Sequence, residues 1–205
     1  MLICNEQVIH KLLMVAKMKF GSSHISRSQK KLQELILYIS MKSEGDEGFG
    51  KVKLNKLLFF SDFLAFLYHG AAITGQDYQA LQQGPAPKAM LPVLNAMQKR
   101  GELAVREKEY HGLKQQRLFS LRPPDTSVFD PKEIALVDEV ITKHWGQNGT
   151  DVSEKSHKFI GWALAKQGET IPYSVVMVGR RELTISERER GVELEPMARQ
   201  CLQAN

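Results

Sequence analysis

The stretch that decides the fold is KVKLNKLLFFSDFLAFLYHG, residues 51–70. Its leucines and phenylalanines recur at helical spacing and cover most of the circumference of a helix over residues 51–68. Such a helix belongs in the centre of a domain, because nearly every face of it is apolar. We expect Gly70 to end it, since glycine readily adopts the left-handed conformation that follows a helix.

Helical periodicity also appears on both sides of this stretch. The further predicted helices cover residues 28–41, 87–100, 131–145, 150–166 and 186–202. Two short strands are predicted over residues 103–107 and 116–121, around a His111-Gly112 turn. The fold class is therefore α+β, a predominantly helical single domain with a small antiparallel β-ribbon. Three helices followed by a ribbon is also the winged-helix order in the front half of the chain.

The predicted domain organisation has three parts. Residues 1–27 read as a weakly structured leader, residues 28–180 as the domain and residues 181–205 as a peripheral C-terminal helix. Within the domain, Gly84-Pro85 marks a sharp turn, and Asp130-Pro131 has the form of a helix N-cap followed by a proline at the first helical position.

Composition indicates a water-soluble globular protein. Apolar residues make up 42% and charged residues 25% of the 205 residues. The longest apolar runs are far shorter than the ~20 residues of a membrane span, so we expect no membrane segment. Only Cys4 and Cys201 are available for a disulfide, which favours two free thiols in a reducing cytoplasm.

Charge is distributed unevenly along the chain. Residues 1–122 carry 18 Lys and Arg against 10 Asp and Glu, a net charge of +8, whereas residues 123–205 carry 10 against 13, a net charge of −3. A basic front half suits an anionic partner, either protein or nucleic acid, although a solvated surface with chance asymmetry is an equal alternative.

Catalytic signatures are missing from the sequence. It contains no G-x-S-x-G, H-E-x-x-H, P-loop or G-x-G-x-x-G motif, and its six histidines have no ligand spacing. We therefore expect no catalytic residues, no metal and no cofactor. His157 reads as a polar tie between helices through its ring N–H groups, and the minor hypothesis of an enzyme would pair it with Asp62. Trp145 and Trp162 read as core anchors.

Asp62 is the unusual acidic residue of the central stretch, because it lies between aromatic residues in Phe59-Phe60-Ser61-Asp62-Phe63. A carboxylate in this setting either faces solvent or is held by hydrogen bonds, since burial without a partner costs several kcal/mol. A structural or partner-binding role is favoured over acid–base chemistry.

Residues 53–103 and 152–173 resemble the Panacea domain of SocA-like antitoxins. The first segment has the opening helix, an aromatic-x-Ala element and Gly-Pro, and the second has the closing Ser-His, Trp and Ile-Pro pattern. The family often has Pro before the Trp, where this chain has Gly161. The family-motif residues are Asp62, Tyr78, Gly84, Pro85, Ser156, His157, Trp162 and Pro172.

This resemblance implies a bacterial or phage-borne antitoxin that neutralises a partner toxin by direct contact. The toxin is expected to be encoded by the neighbouring reading frame, and some relatives deliver their toxin to a protease. The alternative is a winged-helix-like DNA-binding regulator, and autoregulation would combine both roles. We expect the partner to bind the basic front, with the central helix presenting its lysines to solvent. The candidate partner-binding residues are Lys51, Lys53, Lys56, Arg106, Lys108, Lys114 and Arg117.

Overall fold

The computed structural model describes residues 23–110 and 112–178, together with residues 185, 186, 189, 192, 193 and 196. Residues 1–22 of the predicted leader and most of the predicted 186–202 helix lie outside the described residues. By its internal contacts the chain divides into a first unit, residues 1–175, and a second unit, residues 176–205.

The first unit is mostly helical. Its α-helices are α1 (Ser23–Lys42), α2 (Lys51–His69), α3 (Met90–Lys99), α4 (Pro131–Lys143), α5 (Gly149–His157) and α6 (Ile160–Leu164). Its strands are β1 (Tyr78–Gln79), β2 (Ala86–Pro87), β3 (Leu103–Tyr110), β4 (Leu113–Ser120) and β5 (Thr170–Ile171). The predicted α+β class, mainly helical with a small ribbon, is confirmed.

Helix α2 occupies the centre, as its apolar circumference predicts. Leu54, Leu57 and Leu58 are fully buried, and α2 packs against α1, α4, α5 and β2. Gly70 ends the helix in the left-handed conformation, φ 74°, and its N–H donates to the Phe66 carbonyl. Surrounding helices thus remove the apolar band of α2 from water, which is the main driving force for folding.

Two antiparallel sheets connect the helices. The ribbon β3–β4 pairs Leu103 with Ser120 and continues without interruption to the pair Tyr110 and Leu113. The second sheet has the order β2-β1-β5. Strand β1 lies at the centre of this sheet and pairs antiparallel with both β2 and β5, although the sequence pattern predicts no strand there.

Helix α4 begins as predicted. Asp130 accepts a hydrogen bond from the Lys132 N–H, and the Glu133 carboxylate accepts one from the Asp130 N–H, which forms a capping box. The single helix predicted over residues 150–166 is wrong. Phe159 adopts an extended conformation between α5 and α6, and its ring lies against Phe59 and Phe63 of α2. Aromatic packing therefore overrides helical propensity at this position.

Asn148 caps α5. Its side chain accepts hydrogen bonds from the N–H groups of Thr150 and Asp151. Helix α3 begins at Met90, so Pro92 lies in the first turn. Proline is tolerated there because backbone N–H groups of the first turn have no intrahelical acceptor.

Candidate functional site

The two family-motif segments meet at Lys56 of α2. Lys56 is 1% exposed, and its ammonium group donates to the Pro85 carbonyl over 2.9 Å. Gly84 adopts φ +88°, and a Cβ placed on it would lie 2.5 Å from Ser156 Oγ and 2.7 Å from Lys56 Cε. Glycine is therefore required here both for the left-handed backbone and for the close approach of α5.

His157 and Trp162 form the outer part of this junction. Their rings stack with centroids 3.9 Å apart and 19° between planes. The indole N–H of Trp162 donates to the Leu81 carbonyl over 3.1 Å. The prediction that ring N–H groups of His157 bond to backbone carbonyls was wrong, because Nε2 is buried without a hydrogen-bond partner among the described residues. His157 ties α5 to α6 by stacking instead.

Burial controls the charge of the basic groups at the junction. It lowers the pKa of Lys56 to about 7. Burial also lowers the pKa of His157, and the positive charge of Lys56 acts in the same direction. The Pro85 carbonyl is the one acceptor that the described residues offer the Lys56 ammonium group. The junction is therefore a buried, weakly basic contact that holds α2, α5 and the Gly84-Pro85 turn together.

Asp62 is fully buried on the same helix and is held by hydrogen bonds. It accepts from the Thr74 N–H over 2.7 Å and from the Thr74 hydroxyl. The phenol groups of Tyr78 and Tyr173 donate to it over 2.8 and 3.4 Å. Burial raises the pKa of Asp62, and the hydrogen bonds from Thr74 and the two tyrosines oppose that rise. Of the two predicted alternatives, the hydrogen-bonded carboxylate is the correct one.

Lys53 is not on an exposed face of α2, contrary to the sequence-based expectation. It is 1% exposed and donates to the Asp46 carboxylate over 2.5 Å and to the carbonyls of His144 and Gln147 over 2.6 and 2.7 Å. Lys56 corrects the same expectation. Helical periodicity places both lysines on faces that α4, α5 and their connections cover, so neither can offer a surface charge to a partner.

The ribbon cations are divided between two faces. Side chains directly opposite in an antiparallel pair share a face, and neighbours along a strand alternate. Arg106 and Lys108 therefore lie on the face of Arg117, and Lys114 lies on the other face, 3.4 Å from the Glu107 carboxylate.

Arg117, another candidate partner-binding residue, is not exposed. It is buried and donates to the Glu44 carbonyl over 2.8 Å and to the Glu47 carbonyl over 3.4 Å. These contacts tie the loop before α2 to the ribbon. Arg106 and Lys108 are exposed, and neither forms an ion pair with any residue that the structure describes. With Lys51, which is half-buried and also forms no ion pair with a described residue, they are the three candidate cations left free for a partner.

Lys51, at the start of α2, borders a groove between α3 and the ribbon. The groove has a volume of about 280 Å³. It is lined by Lys51, Leu91, Leu94, Asn95, Gln98, Val105, Glu107 and Gln116. Leu91 is 57% exposed and supplies an apolar side chain at the rim of this groove.

Trp145 is the other large exposed side chain of note. It was predicted to anchor the core, but it is 50% exposed and lies beside Gly45. The reason is that α4 ends at Lys143, so Trp145 belongs to the turn that follows and not to the apolar face of the helix.

The structure gives no support to joint chemistry by Asp62 and His157. The hydrogen-bond partners of Asp62 are Thr74, Tyr78 and Tyr173, and His157 is not among them. Within the described ranges, no group of three or more His, Cys, Asp or Glu side chains is arranged to hold a metal ion. Pro172 follows β5 and is exposed, and its carbonyl accepts a hydrogen bond from the Val175 N–H.

Sequence reasoning missed several groups that complete these clusters. Asp46, the partner of Lys53, lies in a glycine-rich acidic loop that reads as solvent-exposed. Thr74 and Tyr173 lie 12 and 111 positions from Asp62. The available signal was Tyr173, the aromatic residue directly after Ile171-Pro172. Like Tyr78, it donates a hydrogen bond to Asp62 of α2.

One comparison with known proteins identifies the family of this chain. The family model described as Antitoxin SocA-like, Panacea domain, matches residues 54–163, more than half of the chain. The protein therefore belongs to the SocA-like antitoxin family with a Panacea domain. Neither the curated proteins nor the solved structures yielded a match.

Family membership supports an antitoxin role in general and implies a partner toxin. None of the helices in the described part of the chain is both long enough and apolar enough to cross a membrane.

Proposed function

We propose that this protein is an antitoxin that neutralises a partner toxin by direct protein–protein binding and that it catalyses no reaction. The observation that carries the proposal is the Panacea-domain match over residues 54–163, which spans the central helix, the ribbon and the Lys56 junction. A match over these elements covers most of the central scaffold, and not an isolated motif.

The division between buried and exposed residues supports the binding role. Asp62, Tyr78, Gly84, Pro85 and Ser156 are all buried. They hold the scaffold together, so they cannot contact a partner without unfolding it. Recognition of a partner therefore falls to exposed residues.

Co-expression tests the proposal. The protein encoded by the neighbouring reading frame is induced alone and together with this chain. We expect the growth arrest to be relieved and the two proteins to co-purify. Relief without a complex at micromolar concentration would contradict neutralisation by binding.

Repeating the assay in a host that lacks its ATP-dependent proteases separates direct inhibition from delivery to a protease. Direct inhibition predicts that relief persists. Relief that disappears without the proteases would show that degradation of the toxin, rather than occupation of its surface, is the protective step.

Stoichiometry tests the absence of catalysis. A fixed amount of purified toxin is titrated with this protein, and toxin activity is measured after a long incubation. A binding antitoxin has a fixed equivalence point that does not move with time. An equivalence point that falls towards zero as incubation lengthens would indicate turnover and overturn this part of the proposal.

DNA binding is the second candidate, and one observation favours it. Arg106 and Lys108 are exposed on one face of a ribbon that follows three helices, the order of a winged helix. Helix α3, which would enter the groove of DNA, contains Lys99 as its single basic residue. A gel shift on the upstream DNA at low and high salt decides the matter. Binding that weakens steeply with salt would establish the DNA role.

A further inference from the structure

The two edges of the ribbon differ in what covers them. The segment before α2 lies along β4: a Cβ placed on Gly50 would be 3.1 Å from the Gln116 carbonyl oxygen. On the outer side of β3, the described part of the chain contributes no further strand. β3 is therefore the open edge.

Hydrogen-bond alternation identifies the groups that this edge presents. The Leu121 N–H donates to the Glu102 carbonyl, so residues 102 and 121 form a hydrogen-bonded pair. Such pairs alternate along an antiparallel ladder. Arg106 and Lys108 therefore bond to β4, while the N–H and C=O groups of Glu107 and Glu109 point outward. The exposed stretch of β3 thus offers backbone donors and acceptors at the spacing of an added strand.

The charges beside this edge favour an acidic occupant. Arg106 lies directly opposite Arg117 in the ribbon, and like charges in this position destabilise a sheet. Arg106 and Lys108 lie on one face and have no carboxylate partner in the parts of the chain that are described. A carboxylate on a strand next to β3 would lie beside them and relieve the repulsion.

The opposite face of the same edge favours an apolar side chain. Val105 and Glu107 line the groove against α3, where Leu91 is exposed. Successive side chains of an added strand alternate between the two faces. One face would therefore meet Arg106 and Lys108, and the other would cover Leu91.

We propose that β3 binds an extended segment of the partner toxin by strand addition at residues 105–109, with acidic side chains on the Arg106 face and an apolar side chain in the groove. The inference rests on the proposed function, because it specifies how the toxin is bound. The charged residues 106–109 keep the open edge soluble in the free protein and select a complementary segment in the complex.

Amide hydrogen exchange on the wild-type protein tests the proposal directly. In the free protein, the amides of Arg106 and Lys108 should be protected by β4, and those of Glu107 and Glu109 should exchange quickly. Adding the protein encoded by the neighbouring reading frame should protect Glu107 and Glu109 as well. A complex without this added protection overturns strand addition and leaves neutralisation by binding intact.

Variants provide an independent measurement. Glu107→Pro removes an outward N–H without removing a bond to β4, and Glu107→Ala removes the same side chain but keeps the N–H. We expect E107P to bind the toxin about tenfold more weakly than E107A, in line with the loss of one buried hydrogen bond. Equal affinities would overturn the proposal. The melting temperature of each variant shows whether it is folded.

Charge reversal tests whether the Arg106 face of the ribbon meets acidic side chains of the toxin. The result does not depend on whether E107P folds. The double variant Arg106→Glu, Lys108→Glu should weaken toxin binding by about tenfold or more, as rim and edge charges steer association. Lys114→Glu, on the opposite face, should stay within about threefold of wild type. The reverse ranking would overturn the assignment.

The remaining outcomes are equally decisive. Protection of the Glu107 and Glu109 amides in the free protein would overturn the proposal. Protection that rises with protein concentration would show that a second copy of this chain covers the edge. Protection that does not change with concentration would show that another segment of the same chain covers it. If neither a complex nor relief of growth arrest is obtained, the proposed function and this inference both fall.

Discussion

The lysines of α2 and the cations of the ribbon have the same chemistry and opposite placement. Lys53 and Lys56 are buried on the central helix, where their ammonium groups donate hydrogen bonds to carbonyl oxygens and to one carboxylate. Arg106 and Lys108 stand in solvent on β3. The difference teaches that a basic front half is not a basic surface: some of its cations hold the scaffold, and others are free to meet a partner.

Lys53 should give the largest effect on stability. Lys53→Met leaves the buried Asp46 carboxylate without its ion pair, and loss of one partner of a buried pair costs about 3–5 kcal/mol. Urea unfolding measures it, with Lys51→Met as the matched control on the same helix, expected within about 0.5 kcal/mol of wild type. A loss below about 1 kcal/mol would erase the distinction between the two lysines.

A substitution at Gly84 tests how tightly the buried Lys56 junction is packed. Gly84→Ala should cost about 2–4 kcal/mol, because it adds a clash with Ser156 and Lys56 to the strain of a left-handed alanine. Gly101→Ala isolates the strain alone, since Gly101 has φ +70° with nothing within 4 Å of an added Cβ. We expect that control to lose about 1–2 kcal/mol. Equal losses of stability for the two variants in thermal unfolding would show that the added methyl group at residue 84 meets no clash.

Lys56 should make stability depend on pH. Burial lowers its pKa to about 7 from an ordinary value of 10.5. Between these values the unfolded chain binds more protons than the folded one, so the free energy of unfolding rises with pH across this window. The free energy of unfolding changes by at most ~1.4 kcal/mol per pH unit within this window, and the pH dependence disappears below pH 7, where both states are protonated. Urea unfolding from pH 7 to 9 should show a rise in stability with pH for wild type that is absent from Lys56→Met, whereas parallel curves contradict the assignment.

The ribbon should show the smallest effects on stability. Arg117→Ala removes hydrogen bonds to the loop before α2 and should cost about 1–2 kcal/mol. Arg106→Ala, directly opposite on the same face, should change stability by less than about 0.5 kcal/mol, with no sign of a lost contact. Differential scanning calorimetry compares them, and a larger loss for R106A would reverse their roles as anchor and free cation.

Local sequence patterns predicted the elements of the fold well. The central helix, the ribbon and the Asp130 cap follow from periodicity, from the position of glycine and proline and from capping chemistry. These signals act over a few residues, so a single sequence contains them. The break between α5 and α6 escaped prediction because its cause, the packing of Phe159 on Phe59, links residues 100 positions apart.

The site was predicted less well for the same physical reason. Whether Lys53 is exposed depends on Asp46 and on two carbonyls at the end of α4, which no local pattern brings together. The resemblance found the motif residues but assigned them no contacts. The structure shows that most of them pack inward, and the burial of Lys53, Lys56 and Arg117 removes three of the seven candidate partner-binding cations.

The hydroxyl of Tyr173 reaches back to Asp62 and to the Gln76 carbonyl, although it lies ten positions beyond the last residue of the family match. β5, just before it, completes the small sheet. A chain shortened to the matched segment would therefore expose the aromatic centre of its own scaffold. A shortened or fused version of this protein should therefore keep the chain through Tyr173 and should not end near Trp162, where the family match ends.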